Sequence, residues 1–190
     1  MSKVPETSAP LTELIRDRWS PRSFDESHEV SDQELLAILE AGRWAPSAMN
    51  AQPWRFSVAK RGTDLHKEMS MALSGFNRNW APTASALIVV SVKKDEDGNS
   101  SKRNFYDAGL SVSLMTIQAQ ALGLHSHQMS GIDFEKMEMV LATPADLEVA
   151  VAIAIGRKDE PGKLEGSAQE RELAPRTRLD LTEVTLHGLP

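Results

Sequence analysis

Two apolar runs limit what this chain can become. Residues 86–92 read Ala-Leu-Ile-Val-Val-Ser-Val, and residues 147–156 read Leu-Glu-Val-Ala-Val-Ala-Ile-Ala-Ile-Gly. Neither approaches the ~20 apolar residues that span a bilayer. Both are rich in β-branched residues, and the first ends at the polar stretch 93–101. That pattern predicts a buried central strand followed by a surface loop, and a second strand of the same kind. A shorter strand is expected over 54–59 (WRFSVA).

Helical spacing fills the intervals. Leu11, Leu14 and Ile15 fall on one face of a segment at 11–18. Ser31 and Glu34 make a capping-box pattern ahead of LLAILEAGRW, which predicts a helix over 32–44 that Pro46 stops. Further helices are expected over 63–73, 104–122 and 134–142, with Gly123 as the stop of the longest. That longest helix carries Ala108, Gly109, Ser111, Ser113, Ala119 and Ala121, which suits a buried central helix or a helix at a subunit interface. Helices and strands alternate through the middle, so the fold class is α+β, a mixed sheet covered by helices. No repeat and no second core is visible, so residues 1–190 read as one domain. Residues 1–10 read as a loose arm and 157–174 as a mobile crossing segment. Residues 181–186 (LTEVTL) alternate enough for an edge strand.

Composition excludes whole classes of chemistry. The chain has no cysteine, which removes disulfides, thiol catalysis and thiolate metal sites. Its formal net charge is -6, a poor match for nucleic acid or an anionic membrane. The first residues lack the apolar core of a secretory signal, so the expected location is cytoplasmic. Glycine-rich dinucleotide and phosphate loops are missing, as are HExxH and GxSxG. His125 and His127 would share a strand face, but without acidic or thiol neighbours a polar turn at a strand end is the expected setting.

What remains is three polar clusters. The first is Arg18-Trp19-Ser20-Pro21-Arg22, with two guanidinium forks and a hydroxyl, suited to phosphate or to a solvated turn. The second runs from Trp44 through Ser47, Ala48, Asn50 and Gln52 to Trp54, with amides and a hydroxyl able to read the edge of a flat heterocycle. The third is Arg176-Thr177-Arg178, which alone would be surface decoration.

Together the clusters resemble the nitroreductase family of flavoproteins. The resemblance rests on RWSPRSF at 18–24, WAPSAMNAQPWRF at 44–56, FNRNWAP at 76–82, the stretch 107–133 ending HSHQMSGID, and VAIAIG at 151–156. It implies an α+β sandwich of a mainly antiparallel mixed sheet flanked by helices. It also implies a homodimer in which a C-terminal extension, 157–190, embraces the partner and its last strand is exchanged. The implied cofactor is FMN, with NADH or NADPH as electron donor and a small electrophile, such as a nitroaromatic or a quinone, as acceptor. Hydride would pass in two half-reactions of a ping-pong cycle, with no catalytic side chain needed because the flavin carries the chemistry. By position, Arg18, Ser20 and Arg22 match residues on the FMN phosphate and ribityl chain, and Trp19 would add packing. Ser47 and Asn50, with Ala48 and Gln52, match the loop that reaches the partner's flavin. Gln128, Met129, Ser130 and Gly131 match the segment against the ring. Arg176 and Arg178 match the late basic pair that closes on the phosphate. The family often places a cation for flavin N1 near the FNRNW segment. Here Arg78 is the only one, beside Asn77 and Trp80, and Arg22 is the other candidate.

Two other readings stay open. One is a specialised relative on the same scaffold, acting on an enone or ring or as a reductive dehalogenase. The other is a flavin-binding carrier or sensor with little turnover.

Overall fold

The computed structural model describes residues 5–188. Seven helices and four strands follow in chain order. The helices are α1 (Glu13–Arg16), α2 (Asp32–Arg43), α3 (Asp64–Met71), α4 (Lys102–Ala121), α5 (Phe134–Val140), α6 (Gly166–Leu173) and α7 (Leu181–Val184). The strands are β1 (Trp54–Lys60), β2 (Ala86–Lys93), β3 (His125–Met129) and β4 (Leu147–Gly156).

The strands form one sheet in the order β1-β2-β4-β3, and every pair is antiparallel. The expected helix-flanked, mainly antiparallel sheet is found, and among the described residues it is antiparallel throughout. The apolar runs explain the centre. β2 is buried at every position except Lys93, because it has a strand on each side and a helical layer on each face. Val89 lies opposite Ser57 on β1 and Ala152 on β4. The register slips between Val90 and Ser91, where β4 passes from Val151 to Val149.

Alternation along the strands sends side chains into two apolar layers. Ile88, Val90, Ile153 and Ile155 pack with Leu35 and Ile38 of α2 and Met115 of α4. Leu87, Val89, Ala152 and Ala154 pack on the other face with Phe24, Met69, Trp80 and Met137. Helix α2 has the capping box its sequence announces. Ser31 Oγ accepts the Glu34 N–H at 3.2 Å and Glu34 Oε2 accepts the Ser31 N–H at 2.8 Å. Helices α2 and α4 approach closely at Gly42, where a Cβ would stand 2.6 Å from Met115 Cγ. Ser111 Oγ donates to the Gly42 carbonyl there at 2.9 Å. The small residues of α4 therefore divide. Ala108, Ser111 and Ala119 are buried, while Gly109, Ser113 and Ala121 face outward.

Three expectations fail. The stretch 157–174 contains α6, which buries Ala168 and Glu172. His125 and His127 lie within β3, an edge strand, and not in a turn. Residues 181–184 form a helical turn, α7, capped by Asp180 and Glu183, where the alternation predicted a strand to be exchanged. A short-range capping box outweighs weak alternation when no sheet edge is at hand. Of the arm expected over 1–10, residues 1–4 lie outside the described residues, and 5–10 form neither helix nor strand. Among the described residues no helix is long and apolar enough to cross a membrane.

Candidate functional site

The chain leaves α1 and runs through 18–24 without helix, bridging to Lys158 at Phe24, before α2 begins. Contacts from far away in sequence hold it. Asp25 N–H donates to the Arg157 carbonyl and Asp159 N–H to the Ser23 carbonyl, each at 2.9 Å. Ser23 Oγ donates to the Glu160 carbonyl at 2.8 Å. His127 Nδ1 lies 2.9 Å from the Pro21 carbonyl, and the Arg22 N–H donates to Glu172 Oε2 at 2.9 Å. The end of β4 and helix α6 thus clamp the first cluster from two sides.

This clamp brings the first and third clusters together. Arg176 Nη1 donates to the Arg16 carbonyl at 2.6 Å, anchoring the late pair beside the early one. The Arg18 guanidinium is half-buried, and burial lowers its pKa, helped by the charges of Arg176 and Arg178. Arg176 is lowered in the same way, by burial and then by Arg178, with Asp17 acting against it. Ser20 Oγ lies 3.4 Å from Arg18 Nη1. Arg18 and Arg176, each partly desolvated and each lowered by a neighbouring cation, are arranged for an anion, since like charges in such a place cost free energy until one is bound. Trp19, Arg176 and Arg178 line a cleft of about 1020 Å³, together with Lys158, Glu172 and residues near Thr7.

Arg22 points elsewhere. Its guanidinium stands 5.9 Å from the centre of the Phe76 ring and 6.0 Å from that of Trp80. Its Nε is buried with no hydrogen-bond partner among the described residues. Burial lowers its pKa, Glu172 opposes that, and Arg171 adds to it. Arg78 does not enter the site. It donates to the Leu73 carbonyl through Nε and Nη2, at 3.0 and 2.7 Å, and to Met71 at 3.2 Å, closing the end of α3. Of the two candidates for the N1 cation, Arg22 is the one left near the cluster.

The ring segment follows β3. Gln128 Nε2 donates to Thr116 Oγ1 at 2.7 Å and to Ser126 Oγ at 3.2 Å, so its amide faces α4. Met129 is buried and Ser130 exposed. The Gly131 carbonyl accepts from Asn77 Nδ2 at 3.1 Å and from the Ser74 N–H at 3.0 Å. A Cβ on Gly131 would stand 2.6 Å from that Asn77 nitrogen, so a larger residue would push the Asn77 side chain off the carbonyl. What this segment can present outward is mainly backbone.

The His127 ring lies 4.4 Å from that of Trp80, and burial brings its pKa down to about 4. His125 is also lowered to about 4, first by burial and then by Lys158 and Arg18. Both are neutral structural histidines, and no group of three His, Asp or Glu suited to a metal exists among the described residues.

The second cluster stays apart within one chain. Ser47 Oγ accepts the Gln52 N–H at 3.0 Å, and Gln52 Nε2 donates to the Asn50 carbonyl at 3.0 Å. Asp107, buried on α4, accepts the Ala48 N–H at 3.0 Å. Met49, Asn50 and Gln52 all have left-handed backbone, with φ of 55°, 55° and 47°. Asn50 is exposed and Met49 is 94% exposed. Asp107 and Glu172 escaped the sequence reading. The one signal was a carboxylate placed among small or otherwise solvated helix residues.

The Nitroreductase family model matches residues 15–77 and 63–157. The oxygen-insensitive NADPH nitroreductase of Helicobacter pylori is 33% identical over 145 residues, 74% of this chain and 68% of that protein. The enone reductase of CLA biosynthesis from Lactiplantibacillus plantarum is 28% identical over 185 residues, 77% of this chain and 85% of that one. A solved structure described as an oxidoreductase containing FMN superimposes with a TM-score of 0.90 at 34% identity, covering 100% of this chain and 97% of that one.

Proposed function

The chain belongs to the nitroreductase family, and from that premise we propose that it is an FMN-dependent oxidoreductase. It takes electrons from NADH or NADPH and passes them to nitroaromatic, quinone or related electrophilic acceptors in a ping-pong cycle. It works as a homodimer in the cytoplasm.

The observation that carries this reading is the convergence of Arg18 with the segment of Arg176 and Arg178 from opposite ends of the chain, tied by the Arg176 bond to the Arg16 carbonyl. A flavin phosphate fits that place, with Ser20 as a further donor and Trp19 as a packing face. Arg22, with its orphan Nε, supplies a cation in a dry setting, where a fixed charge acts strongly on negative charge that develops nearby. Bound FMN would supply the hydride chemistry itself. The remaining work belongs to the chain. The 128–131 segment offers backbone against a flat ring, and the 47–52 loop, fixed by Asp107, offers Ser47, Ala48, Asn50 and Gln52 to the partner's flavin. Exposed Trp44, Met49 and Tyr106 support a covering by a second subunit, with the extension 157–190 embracing it.

Absorption spectra of the purified protein, before and after anaerobic NADH and then NADPH, test this. A yellow protein that bleaches is expected. Yellow without bleaching would favour a carrier or sensor, and a colourless protein that refuses added FMN would overturn the reading.

A further inference from the structure

Helix α6 belongs to a polar stretch, and its buried residues are Ala168 and Glu172. Glu172 has 0% of its surface exposed. A buried carboxylate is costly unless a cation or hydrogen-bond donors compensate it, and an apolar residue would fill the same space more cheaply. Its retention needs a reason. Oε2 accepts the Arg22 N–H at 2.9 Å, a contact across 150 residues. On the next position of the same helix, the Arg171 guanidinium stands 5.3 Å from the centre of the Phe76 ring, the ring that Arg22 also covers. Two guanidinium groups therefore stand near one aromatic ring, with the Glu172 carboxylate on the position after Arg171.

We propose that Glu172 is a positioning residue, fixing the Arg22 backbone and tempering the Arg22 charge where the flavin would bind. The inference rests on the flavin reading above. The electrostatics at Arg22 agree with it, because Glu172 opposes the effects of burial and of Arg171 on that guanidinium. Glu172 also lines the cleft beside Trp19, Arg176 and Arg178. An anion fixed beside the Arg22 and Arg171 guanidinium groups sets how positive that wall is, and so how strongly it favours an electron-rich cofactor.

Two substitutions separate position from charge. Glu172→Gln keeps an oxygen that can accept the Arg22 N–H but removes the charge. Glu172→Ala removes both. FMN affinity is read by fluorescence titration of the apoprotein, and the midpoint potential of bound FMN by spectroelectrochemistry. The Gln variant is expected to bind FMN within about threefold of the parent. Its midpoint potential should move positive by about 30 mV, which is a tenfold stronger preference for the reduced cofactor in a two-electron couple. The Ala variant is expected to bind FMN at least tenfold more weakly. A Gln variant with the parent's potential overturns the proposal, as does an Ala variant with the parent's affinity. Loss of the folded state in both variants, seen by circular dichroism, also overturns it, by reducing Glu172 to a folding residue. A parent protein that takes up no FMN overturns the flavin reading instead.

Discussion

The sheet and the arginine clamp are built on opposite principles. β2 and β4 are joined by many backbone hydrogen bonds and carry fully buried Ile88, Ile153 and Ile155. Their stability comes from apolar area removed from water. The clamp is made of few polar contacts between segments about as far apart as the chain allows, such as Arg22 to Glu172 and Arg176 to Arg16. Its cations repel one another. The contrast teaches that binding and folding can be damaged separately here, because the arginines of the clamp are laid against the core and are not part of it.

The largest separation is expected from replacing Arg18 and Arg22 together with Ala. Each charge-assisted contact is worth roughly 1.5–3 kcal/mol, so FMN affinity should fall by more than about a hundredfold. The urea midpoint of the apoprotein should hardly move; a collapse of that midpoint would erase the distinction between clamp and core. The opposite experiment is Ile153→Ala. A cavity at this buried position should cost about 2–5 kcal/mol of unfolding free energy. FMN affinity measured well below the unfolding midpoint should stay close to the parent's.

His127 joins the two regions, resting on Trp80 and bound to Pro21. Folded, it stays neutral down to about pH 4, while in the unfolded chain it takes a proton near 6.5. The unfolded state thus binds more protons between these values. The stabilisation is complete above pH 6.5 and is lost as pH falls towards 4, with a slope of at most about 1.4 kcal/mol per pH unit. His127→Gln should flatten that slope in denaturation series run at several pH values. The smallest effect concerns α2 alone. Ser31→Ala removes the cap and should cost about 1 kcal/mol in thermal unfolding, with FMN affinity unchanged.

The elements legible in the sequence are those whose cause is local. The Ser31–Glu34 box announced α2, and the β-branched runs announced β2 and β4. Strand β3 was hidden because His125-Ser126-His127-Gln128-Met129 has no strand preference of its own. Its pairing with the end of β4 imposes the conformation. Helix α6 was hidden because its inner face holds only Ala168 and Glu172, too little for an apolar stripe. The alternation of LTEVTL misled because the Asp180–Glu183 cap acts over a shorter range. For the site, the residue types in the first and third clusters were readable as anion ligands. Their meeting, and the part of Glu172 in it, depend on contacts across more than a hundred residues that no local pattern encodes.

The 47–52 loop has a consequence of its own. Left-handed backbone costs a residue other than glycine roughly 1–2 kcal/mol, and Met49, Asn50 and Gln52 all adopt it. Asp107 and the Ser47 hydroxyl hold the loop against that cost. The loop is therefore exposed without being soft. Its ordering entropy is lost while the chain folds, so little further entropy need be lost at an encounter. Whatever docks there meets a spring already wound, whose shape selects its guest and does not follow it.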